Sequence, residues 1–279
     1  MRMLMCTDSS LPASRALNYG ATLARAAAAD VTLLGIVANA GREAQVRAAL
    51  DYAQSLFTQR AEEKVRLGRP ATEVLAEAAT GRYDLIVMGS RGRRGWQRAA
   101  FGSVAARLAR SSPVPVLIVK GGRMVAQKVL VCTSGDVRGE RVARWGGQMA
   151  TWLNAHSTIL HVMSQIPMSP QANLEELSET AEEAIAQQTR EGQHLAREIE
   201  LMHTRGTTTP VAPKLRYGLV REEIVAEVIE GDYDLVVIGG HQAPDLGGRR
   251  GLIREYLLED VTDQVIMDVD RPILVIKGN

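Results

Sequence analysis

Between residues 81 and 120 the chain reads GRYDLIVMGSRGRRGWQRAAFGSVAARLARSSPVPVLIVK, and the spacing of its glycines and hydroxyls suits an anion. Gly89, Gly92 and Gly102 would let backbone N–H groups approach a ligand closely. Ser103 adds a hydroxyl where a helical pattern begins and the helix dipole is positive. Phosphate is the group such an arrangement holds. Arg91, Arg93, Arg94 and Arg98 sit in the same loop, either facing phosphate or as solvated surface. Trp96 interrupts them, and covering the helix behind the loop is a simpler role for it than stacking on a base. The loop is not a Walker A sequence, because no Lys-Ser or Lys-Thr follows its glycines, and it does not fit GxGxxG.

These residues need elements to position them. The apolar run from Tyr83 to Met88 predicts a buried parallel strand, the pattern after Gly102 a helix that stops before Pro113, and Val116 to Val119 the next strand. Upstream, residues 2–7 (RMLMCT) predict a first strand with Asp8 at its carboxyl end. A helix over about 13–28, a strand over 31–37, a helix over 43–60, a short strand over 64–67 and a helix over 72–79 follow. Strands and helices alternating over short connections predict a parallel sheet with helices on both faces, which binds ligands where the strand order reverses. If the first and fourth strands are neighbours, Asp8 and Gly89 face one crevice.

The second half repeats the first. KVLVCTSGD at 128–136 echoes RMLMCTDSS, STILHVM at 157–163 echoes VTLLGIV, GDYDLVVIGG at 231–240 echoes GRYDLIVMGS, and RPILVIK at 271–277 echoes VPVLIVK. An acidic, helix-rich stretch over about 171–203 is extra to the second copy, with Leu177, Ala181, Ala184 and Ile185 at helical spacing. An ordinary amphipathic helix explains it, and a partner-binding or lid role is the sharper reading.

Composition narrows the function classes. Of 279 residues 46% are hydrophobic and 23% charged, as in a globular protein, with no apolar run of membrane-spanning length and no signal peptide at the start, so a cytoplasmic location and no membrane insertion are expected. Cys6 and Cys132 occupy matching strand positions and read as buried thiols. All five histidines lie in the second half, which excludes a histidine-based metal or catalytic site from the first. Residues 1–125 hold 18 Lys and Arg against 9 Asp and Glu, so the first half is the one suited to an anion.

Gly89, two residues, Gly92, nine residues, then Gly102-Ser103 resembles the ATP-binding signature of the universal stress protein family. That resemblance extends over essentially the whole chain as two tandem copies, here bounded at 1–122 and 127–279. It implies an α/β fold of two tandem doubly wound five-stranded parallel sheets, Rossmann-like and similar to the adenine nucleotide alpha hydrolases. Carried over, it implies that Thr7, Asp8 and the backbone around Ile36 meet the adenine and ribose end of ATP, and that Gly89, Ser90, Arg91, Gly92, Gly102 and Ser103 hold phosphates with Val104 beside them. Magnesium would enter only through the phosphates, with no protein metal site. For Ile36 and Val104 simple core packing is nearly as good an account, and for Asp8 the competing role is a cap on the first helix. The second copy departs from the signature. Ser134 replaces Asp8, Gln242 takes the second glycine position, and Glu259-Asp260 stands where Gly102-Ser103 stood, so two acids would repel a phosphate. Its loop keeps Gly247, Gly248, Arg249 and Arg250, which suit a plain surface loop or a different anion. The TSGD at Thr133 to Asp136 is similar to part of the strand-one loop of ATP pyrophosphatases, without the fuller Ser-Gly-Gly pattern.

The family resemblance implies a regulatory ATP-binding protein of stress response that acts on an unknown protein partner, with the two repeats pairing inside one chain and a homodimer as a further form. No catalytic residue is assigned, since no Ser-His-Asp set, carboxylate pair or metal cluster assembles around the loop, and slow ATP hydrolysis or autophosphorylation is the most the family would imply. No nucleic-acid role is expected. A nucleotide-independent scaffold using the acidic helix, and an adenylating enzyme, are the alternatives.

Overall fold

The computed structural model describes residues 1–90, 103–121, 123–164, 179–204, 209–240 and 261–277. In the first repeat β1 (Arg2–Thr7), α1 (Leu11–Ala26), β2 (Asp30–Val37), a 3-10 turn (Ala40–Arg42) and α2 (Glu43–Ser55) lead to β3 (Glu62–Leu67). Then come α3 (Pro70–Ala78), β4 (Leu85–Gly89), α4 (Ser103–Ser111) and β5 (Val116–Val119). The second repeat runs β6 (Lys128–Thr133), α5 (Val137–Leu153), β7 (His156–Met163), α6 (Ala181–Ala186), α7 (Arg190–His203), β8 (Val211–Tyr217), α8 (Val220–Glu230) and β9 (Leu235–Gly240). Helical residues 261–268, here α9, and β10 (Ile273–Lys277) complete it.

The ten strands form one sheet in the order β3-β2-β1-β4-β5-β10-β9-β6-β7-β8. Every neighbouring pair is parallel except β5 and β10, which run antiparallel with Ile118 opposite Ile273 and Val116 opposite Val275. The two five-stranded units therefore share a single sheet, each fifth strand supplying the edge that the other lacks. Apart from β3 and β8 at its two edges, the sheet's strands are largely buried on both faces, as parallel strands under helices must be. In β1 the alternation puts Met3 and Met5 under α1 and α2 with Leu33 and Leu50, and Leu4 and Cys6 under α3 and α4 with Val74 and Leu108. Both apolar layers continue without a break into the second repeat. Cys6 and Cys132 are buried free thiols, and burial, aided by the nearby charges of Glu77 and Glu227, pushes both well above the usual thiol range.

Two departures from the sequence reading concern helices. α1 begins at Leu11, earlier than its apolar spacing indicated, because Ser10 caps it and Pro12 fits its first turn. The described part of the acidic stretch is split into two helices, α6 and α7, rather than forming one stripe. Each has its own threonine cap, and Thr180 forms a full capping box with Glu183. Ala181 and Ala184 are buried as expected, and Leu177 lies outside the described residues.

Candidate functional site

In the first repeat the chain leaves β1 toward β2 and β3 on one side, then returns to place β4 and β5 on the other. β1 and β4 are hydrogen-bonded neighbours, with Met3 beside Leu85 and Met5 beside Val87. Their carboxyl ends therefore open on the reversal point of the sheet, where α/β proteins hold ligands. The loop from β1 to α1 and the end of β4 meet there.

Thr7 is buried, and its hydroxyl accepts the Ser9 amide at 3.2 Å. Asp8 is exposed, and its Oδ1 accepts the Ser10 amide at 3.0 Å. The cap of α1 is instead Ser10, whose hydroxyl accepts the Ala13 amide at 3.4 Å. Asp8 thus shapes the approach turn and keeps its second oxygen for solvent or ligand; the capping role considered for it belongs to Ser10. Ser9 sits in the left-handed region at φ 65°, and its enclosed hydroxyl has no hydrogen-bond partner among the described residues. Sequence reasoning did not single out Ser9. Only its place between a strand end and a helix cap marks it.

Gly89 ends β4, and a methyl group there would collide with the Pro12 carbonyl and lie 2.6 Å from the Ala13 nitrogen. That glycine is demanded by the first turn of α1, whatever a ligand also requires of it. The Ser90 amide is taken up by the Val119 carbonyl at 3.0 Å, so Ser90 has only its half-buried side chain to offer. The Ile36 side chain is 3% exposed and belongs to the apolar layer with Val74 and Ala78, so any ligand contact there falls to its backbone. Val104 also packs partly on that layer. Ser103 begins α4, and Arg91, Gly92 and Gly102 lie outside the described residues, as do Gln242, Gly247 to Arg250 and Glu259-Asp260.

The second repeat builds the equivalent loop differently. Gly135 matches Ser9 in its left-handed backbone, at φ 67°, and Asp136 matches Ser10 as the helix cap, accepting the Arg138 and Gly139 amides at 3.0 Å each. Burial works against its ionisation, but bonds from the Ser134 hydroxyl, the Gly139 amide and Arg138 outweigh it and hold Asp136 below the usual carboxylate range. The aspartate of TSGD is a helix cap. At the end of β9, a methyl on Gly239 would make only an ordinary 3.4 Å contact with Val142, so nothing holds that position to glycine as Pro12 holds Gly89.

These features define a duplicated, doubly wound α/β protein whose first repeat brings the carboxyl ends of β1 and β4 together at the reversal point of the sheet. The universal stress protein family model matches residues 1–120 and again 126–277, and the chain belongs to that family. It is 45% identical over 53 residues to universal stress protein MJ0531 of Methanocaldococcus jannaschii, a match spanning 19% of this chain and 31% of that protein. The chain thus aligns with about a third of that relative's length. A universal stress protein structure from Archaeoglobus fulgidus superposes over 100% of this chain and 98% of its own, with a TM-score of 0.67 and 17% identity, a likeness of fold. A universal stress protein solved in complex with cAMP is 30% identical, covering 43% of this chain and 95% of its own, with a TM-score of 0.36. Among the described residues no helix is long and apolar enough to cross a membrane, and no group of three or more His, Cys, Asp or Glu is placed to hold a metal ion.

Proposed function

We propose that the first repeat binds an adenine nucleotide, ATP in the first instance, and that the protein acts in the cytoplasm as a regulator through nucleotide-dependent contact with another protein. The observation that carries this reading is the adjacency of β1 and β4, which brings the Asp8 to Ser10 turn and the Gly89-Ser90 strand end to one crevice. Asp8 has an exposed carboxylate suited to ribose hydroxyls, and Ser9 has a hydroxyl in need of a partner. The glycines and arginines from Arg91 to Gly102, with Ser103, would receive the phosphates. Magnesium would be held by those phosphates.

The units are taken as residues 1–122 and 127–279, the second serving as a built-in partner to the first. Its own loop carries acids where the first has Gly102-Ser103, which supports a single nucleotide site per chain. The scaffold alternative loses ground because, among the described residues, the acidic stretch already buries its apolar positions. Leu195, Leu201 and Met202 of α7 are already buried.

The test is to denature freshly purified protein, identify released nucleotide by chromatography, and titrate stripped protein with ATP, ADP and cAMP by calorimetry. About one adenine nucleotide per chain is expected, lost in Gly102→Glu and weakened about tenfold or more in Asp8→Ala. Two per chain would overturn the single-site reading. None, with no binding of added nucleotide, would overturn nucleotide binding altogether.

A further inference from the structure

α7 packs across α5, and its His194 and Glu198 come up against the turn between β6 and α5, the counterpart of the Asp8 to Ser10 turn of the first repeat. Two glycines of α5 let it approach. A methyl on Gly147 would stand 2.7 Å from the Met202 Cα, and one on Gly139 would collide with Oε1 of Glu198. Glu198 is 2% exposed, and among the described residues neither of its oxygens makes a hydrogen bond of ordinary geometry. At the neighbouring Gly135, the Cε1 of His161 comes within 3.0 Å, and the ring of His194 within 3.6 Å, of where a methyl would be. The enclosed Nδ1 of His161 also has no partner.

A buried carboxylate with no cation and no well-formed hydrogen bond is tolerated far better with a proton than without one. The surroundings of Glu198 add no cation to it. From α5 it meets Asp136 and Glu140, whose charges are engaged by Arg138 and Arg197. From β7 comes His161, and from α7 itself come His194 and Glu191, which act on that imidazole. Burial foremost, aided by the charges of Asp136 and Glu140, raises Glu198 to about 7 and outweighs the Thr133 hydroxyl, the second-largest influence, and the Gly135 amide, which pull the other way. Burial likewise lowers His161, which favours a neutral ring. The surface hollows make no comparable demand. The larger, of about 640 Å³ at the amino ends of β1 to β3, offsets Arg2, Arg25, Arg60 and Arg82 with Asp30 and Glu62 on an exposed rim.

We propose that α7 is self-docked on α5 over the turn between β6 and α5 and that its docking is governed by a proton on Glu198. A docked Glu198 binds its proton more tightly than a released one, so its contribution to docking is complete below the ordinary glutamate range and is lost as pH rises toward about 7. His161 acts in the opposite sense, because a lowered imidazole resists docking as pH falls below the ordinary histidine range. Comparing wild type with Glu198→Gln at each pH isolates the carboxyl group from the imidazole.

The experiment is amide hydrogen exchange of the full chain at pH 5 and pH 8, corrected for intrinsic rates, with α2 as the internal reference. Glu198→Gln is a neutral isostere of the protonated acid. Its α7 amides are expected to match wild type at pH 5 and to exchange at least about tenfold more slowly than wild type at pH 8. Gly139→Ala, which evicts the carboxyl group, is expected to speed α7 exchange at both pH values while α2 is unchanged. Faster α7 exchange in Glu198→Gln at pH 8, or a ratio to wild type that is the same at both pH values, would overturn the proposal.

Discussion

At the scale of single residues, the two repeats differ most instructively at a pair of glycines that look equivalent in sequence. Gly89 faces the backbone of Pro12 and Ala13 in the first turn of α1, and backbone cannot move aside without displacing the helix start. Gly239 faces only a methyl of Val142 at 3.4 Å. Gly89→Ala is therefore expected to lower stability by about 1–3 kcal/mol and Gly239→Ala by well under 1, measured by thermal melting of the two variants beside wild type. Equal losses would show that α1 can shift freely. The role of Asp8 was only partly legible: its place at a strand end marked it for a ligand. That its neighbour Ser10 caps α1 depends on backbone angles at Ser9 that no spacing rule reports.

At the scale of elements, each repeat ties its outer strand to a helix through a buried carboxylate. In the first, Glu77 of α3 accepts from Lys64 at 2.8 Å and from the Tyr83 hydroxyl at 2.7 Å, and also pairs with Arg66. In the second, Glu227 of α8 pairs with Lys214 and Arg216, each at 2.7 Å, and accepts from the Tyr233 hydroxyl at 3.0 Å. Burial alone would raise Glu77, but the bonds from Lys64, Tyr83 and Arg66 overcome it and hold the group at about 2. Its folded value lies below its unfolded one, so the network stabilises fully above pH 4.5 and is lost as pH falls toward about 2. Glu77→Gln is expected to cost about 3 kcal/mol at neutral pH, with the gap from wild type closing between pH 4.5 and 2 in acid-denaturation curves. A gap that stayed constant across that range would refute an ionic origin. The repeat of apolar runs made the strands and the duplication legible, because buried parallel strands must be apolar on both faces. These two networks escaped notice because Lys64, Arg66 and Glu77 read as ordinary surface charges until the fold brings an edge strand against a helix. The division of the acidic stretch into α6 and α7 was hidden for a related reason: both threonine caps sit inside a continuous run of helix-favouring residues.

At the scale of the whole molecule, the join between the repeats is reciprocal. Lys120 at the end of β5 is 2% exposed and donates to the Ile266 and Val269 carbonyls, at and just beyond the end of α9, the second repeat's last helix. Lys277 at the end of β10 is 1% exposed and donates to the Arg110 carbonyl in the last turn of α4, the first repeat's last helix. Each repeat thus supplies a buried amine that donates to carbonyls at the end of the other's last helix, and burial, opposed by the charges of Asp270 and Asp268, lowers Lys120 to about 7. Arg110 and Asp263 add an ion pair at 2.8 Å across the same join, and Arg123 from the linker pairs with Asp232 and Asp234. The sequence placed both lysines at matching strand ends, but their targets became visible only once β5 and β10 were seen to run antiparallel. That arrangement sends each strand end toward the opposite repeat. Lys120→Met and Lys277→Met keep most of the apolar stem and remove the donor, leaving buried carbonyls unpaired at a cost of about 1–3 kcal/mol each. Because the two sites lie in one interface, the double variant is expected to depart from the sum of the singles, and β5 and β10 amides should lose protection before those of β1 and β6. Additive losses with uniform exchange across the sheet would mean that the lysines support their own repeats separately. Departure from additivity centred on β5 and β10 would identify the join as the cooperative element that couples the two repeats.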